Sequence, residues 1–129
     1  MVDEHPNLAL LQSLDLRDLA SAKDIFSEDF VWHFINPQLP NIQGDFVGVE
    51  GLMSFFGALQ QRTGGSFSVE PISSTVFGDN LVVSHVKDRM NLDGRTVEPE
   101  AVVIWRFRDG RIAEAWDVVA VLEPHVAER

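Results

Sequence analysis

Two aspartates in the second half of the chain, Asp88 and Asp117, are the side chains best suited to acid–base chemistry. Each follows or ends an apolar run, where a carboxyl group is costly to bury unless it is paired or its pKa is raised. Two carboxyl groups close together in an apolar cup push their pKa values apart, which yields one acid and one base. The pair therefore predicts proton transfer on a small molecule, provided that the fold brings both groups to one cavity.

Other kinds of catalytic site find little support in the sequence. The chain has no cysteine, which excludes thiolate nucleophiles, cysteine metal sites and disulfides. Its four histidines show no metal-ligand spacing. Neither a Gly-x-Ser-x-Gly motif nor a dinucleotide-binding fingerprint after a strand is present. We therefore expect neither a metal ion nor a cofactor.

Length and charge set further expectations. The 129 residues suit a single domain, residues 1–129. Twenty acidic against ten basic side chains give a formal net charge of −10, which would repel nucleic acids and anionic membranes. The acidic start and the lack of an apolar run of roughly 18 residues predict neither a signal peptide nor a membrane span. We expect a cytoplasmic protein with no nucleic-acid or membrane partner.

Three chain reversals divide the second half of the chain into apolar runs. They are Gly78-Asp79-Asn80, Asp93-Gly94 and Asp109-Gly110. Because Asp-Gly favours the positive φ of tight hairpins, residues from about 66 to 119 are predicted to form an antiparallel meander. Strands this long after a helical start indicate a curved sheet around a pocket.

Helices and one further strand are predicted in the first half. Leucines at intervals of three and four indicate two short helices broken near Asp15, the second reaching Phe26. Residues 30–35 form a strand that ends at Asn36-Pro37, and a loop then runs to Gly48. An aromatic face at helical spacing predicts a helix over residues about 49 to 62, closed by glycines.

The register of the meander predicts which side chains face the pocket. With Asp93-Gly94 as a two-residue turn, the inward pairs are Val86 with Ala101, Ser84 with Val103, and Val82 with Trp105. The same register sets Lys87 against Glu100 and Arg89 against Glu98 on the other face. It turns Asp88 towards the interior.

The last hairpin has two possible registers. If the loop is Asp109-Gly110 alone, the side chains facing inward are Ile112, Glu114, Trp116 and Val118. If it is Arg108-Asp109-Gly110 with a bulge at glycine, they are Ala113, Ala115 and Asp117. In the second case Asp117 lies beside Ala101 and near Asp88. The sequence leaves both registers open.

Both faces of the sheet need cover. The inward phase of the first strand holds Trp32 and Phe34, which predicts a pocket wall shared with Val86, Val103 and Trp105. The outward phase is apolar as well, at Val83, Val102 and Ile104. Helices can cover one face only, so we expect a homodimer through the other, convex face.

Several residue runs resemble the SnoaL-like group and limonene-1,2-epoxide hydrolase. They are Val86 to Arg95, Trp105 to Ile112, Trp116-Asp117, Trp32-His33-Phe34, the glycine at position 44, and Leu52 to Phe56. The resemblance covers most of the chain. It implies the nuclear transport factor 2-like superfamily and its α+β cone, a strongly curved mixed sheet with three helices in its concavity. That superfamily hosts isomerases, cyclases, dehydratases, hydrolases and non-catalytic binders.

The resemblance also implies roles for single residues. By position, Asn36 resembles the water-binding asparagine of the epoxide hydrolases, Asp88 the acid, and Asp117 the water-activating aspartate. Phe34 stands where those enzymes have a tyrosine and Val86 where they have an arginine. Ketosteroid isomerase, another relative, uses a tyrosine as an oxyanion donor, and this chain has none.

Two functions of different class follow from these observations. The first is a cofactor-independent acid–base enzyme of isomerase, cyclase or hydrolase type that acts on a small, largely apolar substrate. Asp88, Asp117 and Asn36 would then be catalytic. The second is a non-catalytic small-ligand-binding protein whose active site is degenerate. The missing tyrosine and arginine favour the second function, and the two retained carboxyl groups favour the first.

Overall fold

The computed structural model describes residues 5–37 and 39–120 and contains three helical segments and seven strands. The helical segments are α1 (Pro6–Gln12), a 3₁₀ helix (Leu19–Ile25) and α2 (Gly48–Arg62). The strands are β1 (Phe26–Ile35), β2 (Gly44–Val47), β3 (Ser68–Phe77), β4 (Leu81–Leu92), β5 (Arg95–Val97), β6 (Glu100–Arg108) and β7 (Arg111–Val119).

The strands form one mixed sheet. Their order is β2-β1-β7-β6-β4-β3, and the short β5 extends the end of β4. β1 and β7 are parallel, whereas the other neighbours are antiparallel. The sheet is strongly curved and the helices lie in its concavity. The predicted α+β cone is therefore confirmed.

The Asp-Gly turns adopt the expected backbone conformation. Asp93 and Gly94 have φ values of 52° and 82°, and Asp109 and Gly110 have 53° and 76°. Positive φ at both central residues is the geometry of a type I′ turn, which matches the twist of the flanking strands. The β4–β6 register is the predicted one, with Val86 opposite Ala101, Ser84 opposite Val103 and Val82 opposite Trp105.

The last hairpin combines features of the two alternatives. The turn is Asp109-Gly110 alone, since Arg108 pairs with Arg111. A bulge then shifts the register, and the consecutive residues Ile112 and Ala113 are both buried. Beyond the bulge Asp117 faces inward but pairs with Val103, not with Ala101 as expected. Asp117 therefore lies one inward position further from Asp88 than the three-residue loop would place it.

Three boundaries in the first half differ from the sequence prediction. The second helix is a 3₁₀ helix and ends at Ile25, because Phe26 already belongs to β1. Phe26 is buried, with its ring 4.6 Å from that of Phe30. The predicted loop before α2 contains β2, which pairs with β1. Burial of Phe26 accompanies the earlier start of β1, whereas β2 has no buried residue and is held by its pairing with β1.

The main hydrophobic core lies between α2 and the concave face of the sheet. Leu52, Phe55 and Leu59 are the buried residues of α2. The ring of Phe55 packs at 5.6 Å from Trp32 and at 4.6 Å from Phe34. α2 ends at the predicted place, where Gly65 N–H donates to the Gln60 carbonyl at 2.7 Å. In the described part of the chain, no helix is long and apolar enough to cross a bilayer.

Candidate acid–base site

Both aspartates border one cavity of about 310 Å³, here called the central cavity. Its wall is mostly apolar and comes from α1 and the segment after it, from α2, and from strands β1, β3, β4, β6 and β7. The lining residues are Leu8, Leu11, Gln12, Leu14, Leu16, Trp32, Phe56, Phe67, Val69, Pro71, Ser74, Ser84, Val86, Asp88, Val103, Trp105 and Asp117. A cavity of this size and character suits a small organic molecule.

Asp88 reaches the central cavity from β4. Its inward position follows from the alternation of the strand, in which Val82, Ser84, Val86, Asp88 and Met90 are all buried. The backbone N–H of Asp88 donates to the Pro99 carbonyl at 2.9 Å. No side chain among the described residues pairs with its carboxyl group, and desolvation raises the pKa of Asp88 to about 6.

Asp117 enters the central cavity from β7 and is buried, as Asp88 is. Its Oδ1 atom has no hydrogen-bond partner among the described residues. Desolvation, together with the negative charge of Asp88, raises the pKa of Asp117 to about 8. The two groups therefore titrate as a pair, in which Asp88 loses its proton first.

The two raised pKa values allow one protonated and one ionised carboxyl group to share the central cavity near neutral pH. Near neutral pH the carboxyl group of Asp117 keeps its proton, whereas Asp88 is mostly ionised. Asp88 can then accept a proton and Asp117 can donate one. The resemblance to epoxide hydrolases implies the opposite assignment, with Asp88 as the acid.

Other polar atoms of the central cavity form a small network. Trp105 Nε1–H donates to Ser84 Oγ at 3.2 Å, and Ser84 Oγ lies 3.0 Å from Ser74 Oγ. Trp32 Nε1, in contrast, is buried without a partner among the described residues. The cavity thus holds one indole donor that is already used and one that is not.

The remaining residues expected at the site divide between two places. Trp32, Val86, Val103 and Trp105 line the central cavity. Phe34 and Asn36 do not. Phe34 is buried against Phe55, and Asn36 lines a separate cavity of about 620 Å³ with residues of β4 and β5, where its backbone N–H donates to Gln43 Oε1 at 2.8 Å.

Sequence reasoning did not identify the N-terminal leucines as cavity wall. Leu8, Leu11, Leu14 and Leu16 all line the central cavity and are half-buried, and no residue of α1 is fully buried. An amphipathic pattern predicts only that these side chains face inward, and it cannot distinguish a packed core from the wall of a cavity. The leucine spacing correctly predicted inward-facing side chains, but it did not predict that they line the central cavity.

We next consider clusters of possible metal-ligating side chains among the described residues. They contain no group of three or more His, Asp or Glu side chains placed to hold a metal ion. His125 lies outside the described residues. The polar side chains that line the central cavity are the carboxyl groups of Asp88 and Asp117, the hydroxyls of Ser74 and Ser84, the amide of Gln12 and the indoles of Trp32 and Trp105.

Comparison with known proteins shows the family. Residues 8–115 match the family described as SnoaL-like domain. The chain belongs to this family. No curated protein matches the SnoaL-like chain.

Solved structures share the SnoaL-like fold at low sequence identity. An NTF2-like protein of unknown function from Burkholderia pseudomallei is 19% identical, with a TM-score of 0.76 over 91% of this chain and 92% of that one. TerC, crystallised with polyporic acid, is 20% identical, with a TM-score of 0.70 over 95% of each chain. A putative SnoaL-like polyketide cyclase from Jannaschia is 16% identical, with a TM-score of 0.69 over 97% and 90%. At these identities the likeness shows the fold alone.

Proposed function

We propose that this SnoaL-like domain is a cofactor-independent acid–base enzyme of isomerase, cyclase or hydrolase type that acts on a small, largely apolar substrate. The observation that carries the proposal is the presence of two buried carboxyl groups without side-chain partners at one apolar cavity. A structural role for either group would call for a hydrogen bond or an ion pair, because an unpaired buried carboxyl group is destabilising.

The simplest reaction that the pair supports is proton transfer next to a carbonyl group. The ionised Asp88 takes a proton from the carbon beside the carbonyl. The electron pair of the C–H bond forms a C=C bond, and the π pair of the carbonyl group moves to its oxygen. The protonated Asp117 donates a hydrogen bond to the oxygen on which negative charge develops. Return of the proton to another carbon would isomerise the substrate. Attack of the enolate on an electrophilic carbon would close a ring.

Asn36 has no role in this proposal. Asn36 lines the separate cavity of about 620 Å³, whereas Asp88 and Asp117 line the central cavity. The resemblance alone suggested its role in binding water. A mechanism that uses the central cavity rests on the two carboxyl groups and on donors next to them.

A binding protein without catalysis is the second candidate. Phe34 and Val86 stand where related enzymes carry a tyrosine and an arginine, and the wall of the central cavity is largely apolar. TerC, a relative in fold, was crystallised with a small molecule. If the ligand is only bound, neutral substitution of Asp88 changes its affinity little and no reaction depends on it.

The proposed function is tested with 2-tetralone, a small apolar ketone whose hydrogens beside the carbonyl are acidic. We expect the wild-type protein to speed their exchange for deuterium in D₂O, measured by NMR, and Asp88→Asn to lose the effect. Asp79→Asn serves as the matched control, because Asp79 lies in an exposed turn. Equal exchange rates for wild type and Asp88→Asn would contradict the enzymatic proposal.

We also propose a homodimer through the convex face of the sheet and a cytoplasmic location. The support for the dimer is a strip of apolar residues on this face, here called the convex strip. Its members are Val83, Val102, Ile104 and Val118, of which Val102 and Val118 are 38% and 39% exposed. The absence of cysteine and the acidic composition support the location.

A further inference from the structure

Two residues that line the central cavity each hold a buried polar atom that lacks a hydrogen-bond partner within the described residues. The two atoms are Trp32 Nε1 and Asp117 Oδ1. Both side chains are more than nine-tenths buried, with 2% exposure for Trp32 and 8% for Asp117. Buried polar atoms in proteins are nearly always paired, so two unpaired ones in residues that line a single cavity point to a group that is bound there.

The strand register makes these two residues neighbours. β1 and β7 run parallel, with Trp32 opposite Ala115 and Phe34 opposite Asp117. Trp32 and Asp117 are therefore diagonal neighbours on adjacent strands, and both point to the concave side. Side chains so placed can contact the same atom of a ligand.

The chemistry of the two groups defines what they can bind. An indole N–H only donates a hydrogen bond. A protonated Asp117 also offers a donor, its O–H. Two donors side by side match an oxygen with two lone pairs, whereas an ammonium group could accept from neither, and a carboxylate would be repelled by the ionised Asp88. Trp105 does not compete, because its N–H is already bonded to Ser84.

We propose that Trp32 Nε1–H and the carboxylic acid of Asp117 together bind one carbonyl oxygen of the ligand, which makes the ligand a flat, apolar ketone or enone. Trp32 thus takes the place of a phenolic donor in a chain that has no tyrosine. The aromatic wall of Trp32, Trp105, Phe56 and Phe67 favours a body of fused rings over a flexible chain. This inference deepens the proposed function by naming the class of ligand. It rests on the proposed function in two respects, namely that the central cavity is the site and that Asp117 is protonated.

The indole N–H signals test the proposal directly. In a ¹H–¹⁵N spectrum titrated with 2-tetralone, we expect the N–H proton of Trp32 to move downfield because it gains a hydrogen bond. The other two tryptophans are internal controls, since Trp105 is bonded to Ser84 and Trp116 lies on the outer face against His33. Tetralin, the same ring system without the oxygen, should leave the signal of Trp32 near its free position. A Trp32 signal that responds equally to both compounds, or to neither, overturns the proposal.

A substitution provides an independent measurement. Trp32→Phe removes the donor and keeps an aromatic ring, so it should weaken binding of 2-tetralone by about fivefold to tenfold and binding of tetralin by less than about twofold. Trp105→Phe is the matched control and should show no selective loss for the ketone. Equal losses for both ligands in Trp32→Phe would show a role in packing only and would overturn the proposal.

Asp88→Asn separates this inference from the proposed function. It should abolish hydrogen exchange of 2-tetralone but leave the downfield shift of the Trp32 signal in place. If the shift occurs and even the wild type fails to exchange hydrogens, the carbonyl site stands and the acid–base reaction fails. If exchange depends on Asp88 while the Trp32 signal stays unmoved, the reaction stands and the carbonyl site is refuted.

Discussion

At the scale of single residues, the proposed function depends on the different surroundings of two aspartates with the same intrinsic chemistry. Burial raises both pKa values, and the charge of Asp88 raises that of Asp117 further. The inward phase of Asp88 was predictable from the Asp93-Gly94 turn alone. The order of the two pKa values was not, because it depends on how far each carboxyl group is desolvated in the folded protein.

Raised pKa values make a prediction about stability. In the unfolded chain both aspartates titrate near 3.9, so between about pH 4 and 9 the folded state binds protons more tightly than the unfolded state. With respect to these groups, the free energy of unfolding should therefore be highest at about pH 4 and below, fall as pH rises above 4, fall more slowly above about 6 and level off above about 8.

The variant Asp117→Asn should remove the larger part of this fall, because the amide stays neutral. A rise of about four pKa units at about 1.4 kcal/mol each sets an upper bound of about 6 kcal/mol, so we expect the variant to stabilise the protein at pH 9 by several kcal/mol relative to wild type, and by much less at pH 5. Urea unfolding at both pH values measures the effect, with Asp79→Asn as the exposed control. A destabilisation of similar size at both pH values would contradict the buried, protonated state of Asp117.

At the scale of elements, the sequence predicted the hairpins well and the bulge poorly. Asp-Gly at a strand end is a local signal, and the register follows from it by counting. The bulge after Ile112 has no such signal, because it depends on whether the curved sheet can bury two consecutive side chains. The result is a two-residue turn that nevertheless turns Asp117 inward.

The N-terminal helix gives a prediction at the same scale. α1 lies over the central cavity, but none of its residues is fully buried, and its leucines contact the space that a ligand would fill. Such a helix should be among the least stable parts of the fold until a ligand packs beneath it. We expect 2-tetralone to slow amide hydrogen exchange several-fold in residues 6–17, while α2 changes little. Equal slowing in both helices would indicate a global effect and contradict a local cover.

At the scale of the whole molecule, the resemblance predicted the cone, and the helices cover only one face of its sheet. In the proposed homodimer the convex strip would contact the second subunit, and a stable dimer would bury on the order of 1,200 Å² or more. This expectation follows from strand alternation, which the structure confirms. The sequence predicted a second copy of the chain as the partner, and this stays a prediction.

The dimer prediction is tested by placing a charge in the convex strip. Val102→Glu should convert a dimer at micromolar concentration into a monomer, because a carboxylate would be buried at the interface. Met53→Glu is the matched control, since Met53 is 42% exposed but lies on α2. Gel filtration coupled to light scattering measures the molecular mass of each variant in solution. A wild-type monomer, or a dimer that persists in Val102→Glu, would contradict the proposed interface.

The most direct test of the central claim is a carbon-detected NMR titration of the aspartate carboxyl groups. For the wild type we predict one midpoint near 6, assigned to Asp88, and one near 8, assigned to Asp117. In Asp88→Asn the midpoint of Asp117 should move down, because the negative charge that helps to hold its proton is gone. Two independent midpoints close to the ordinary aspartate value of about 3.9 would contradict an acid–base pair in the central cavity.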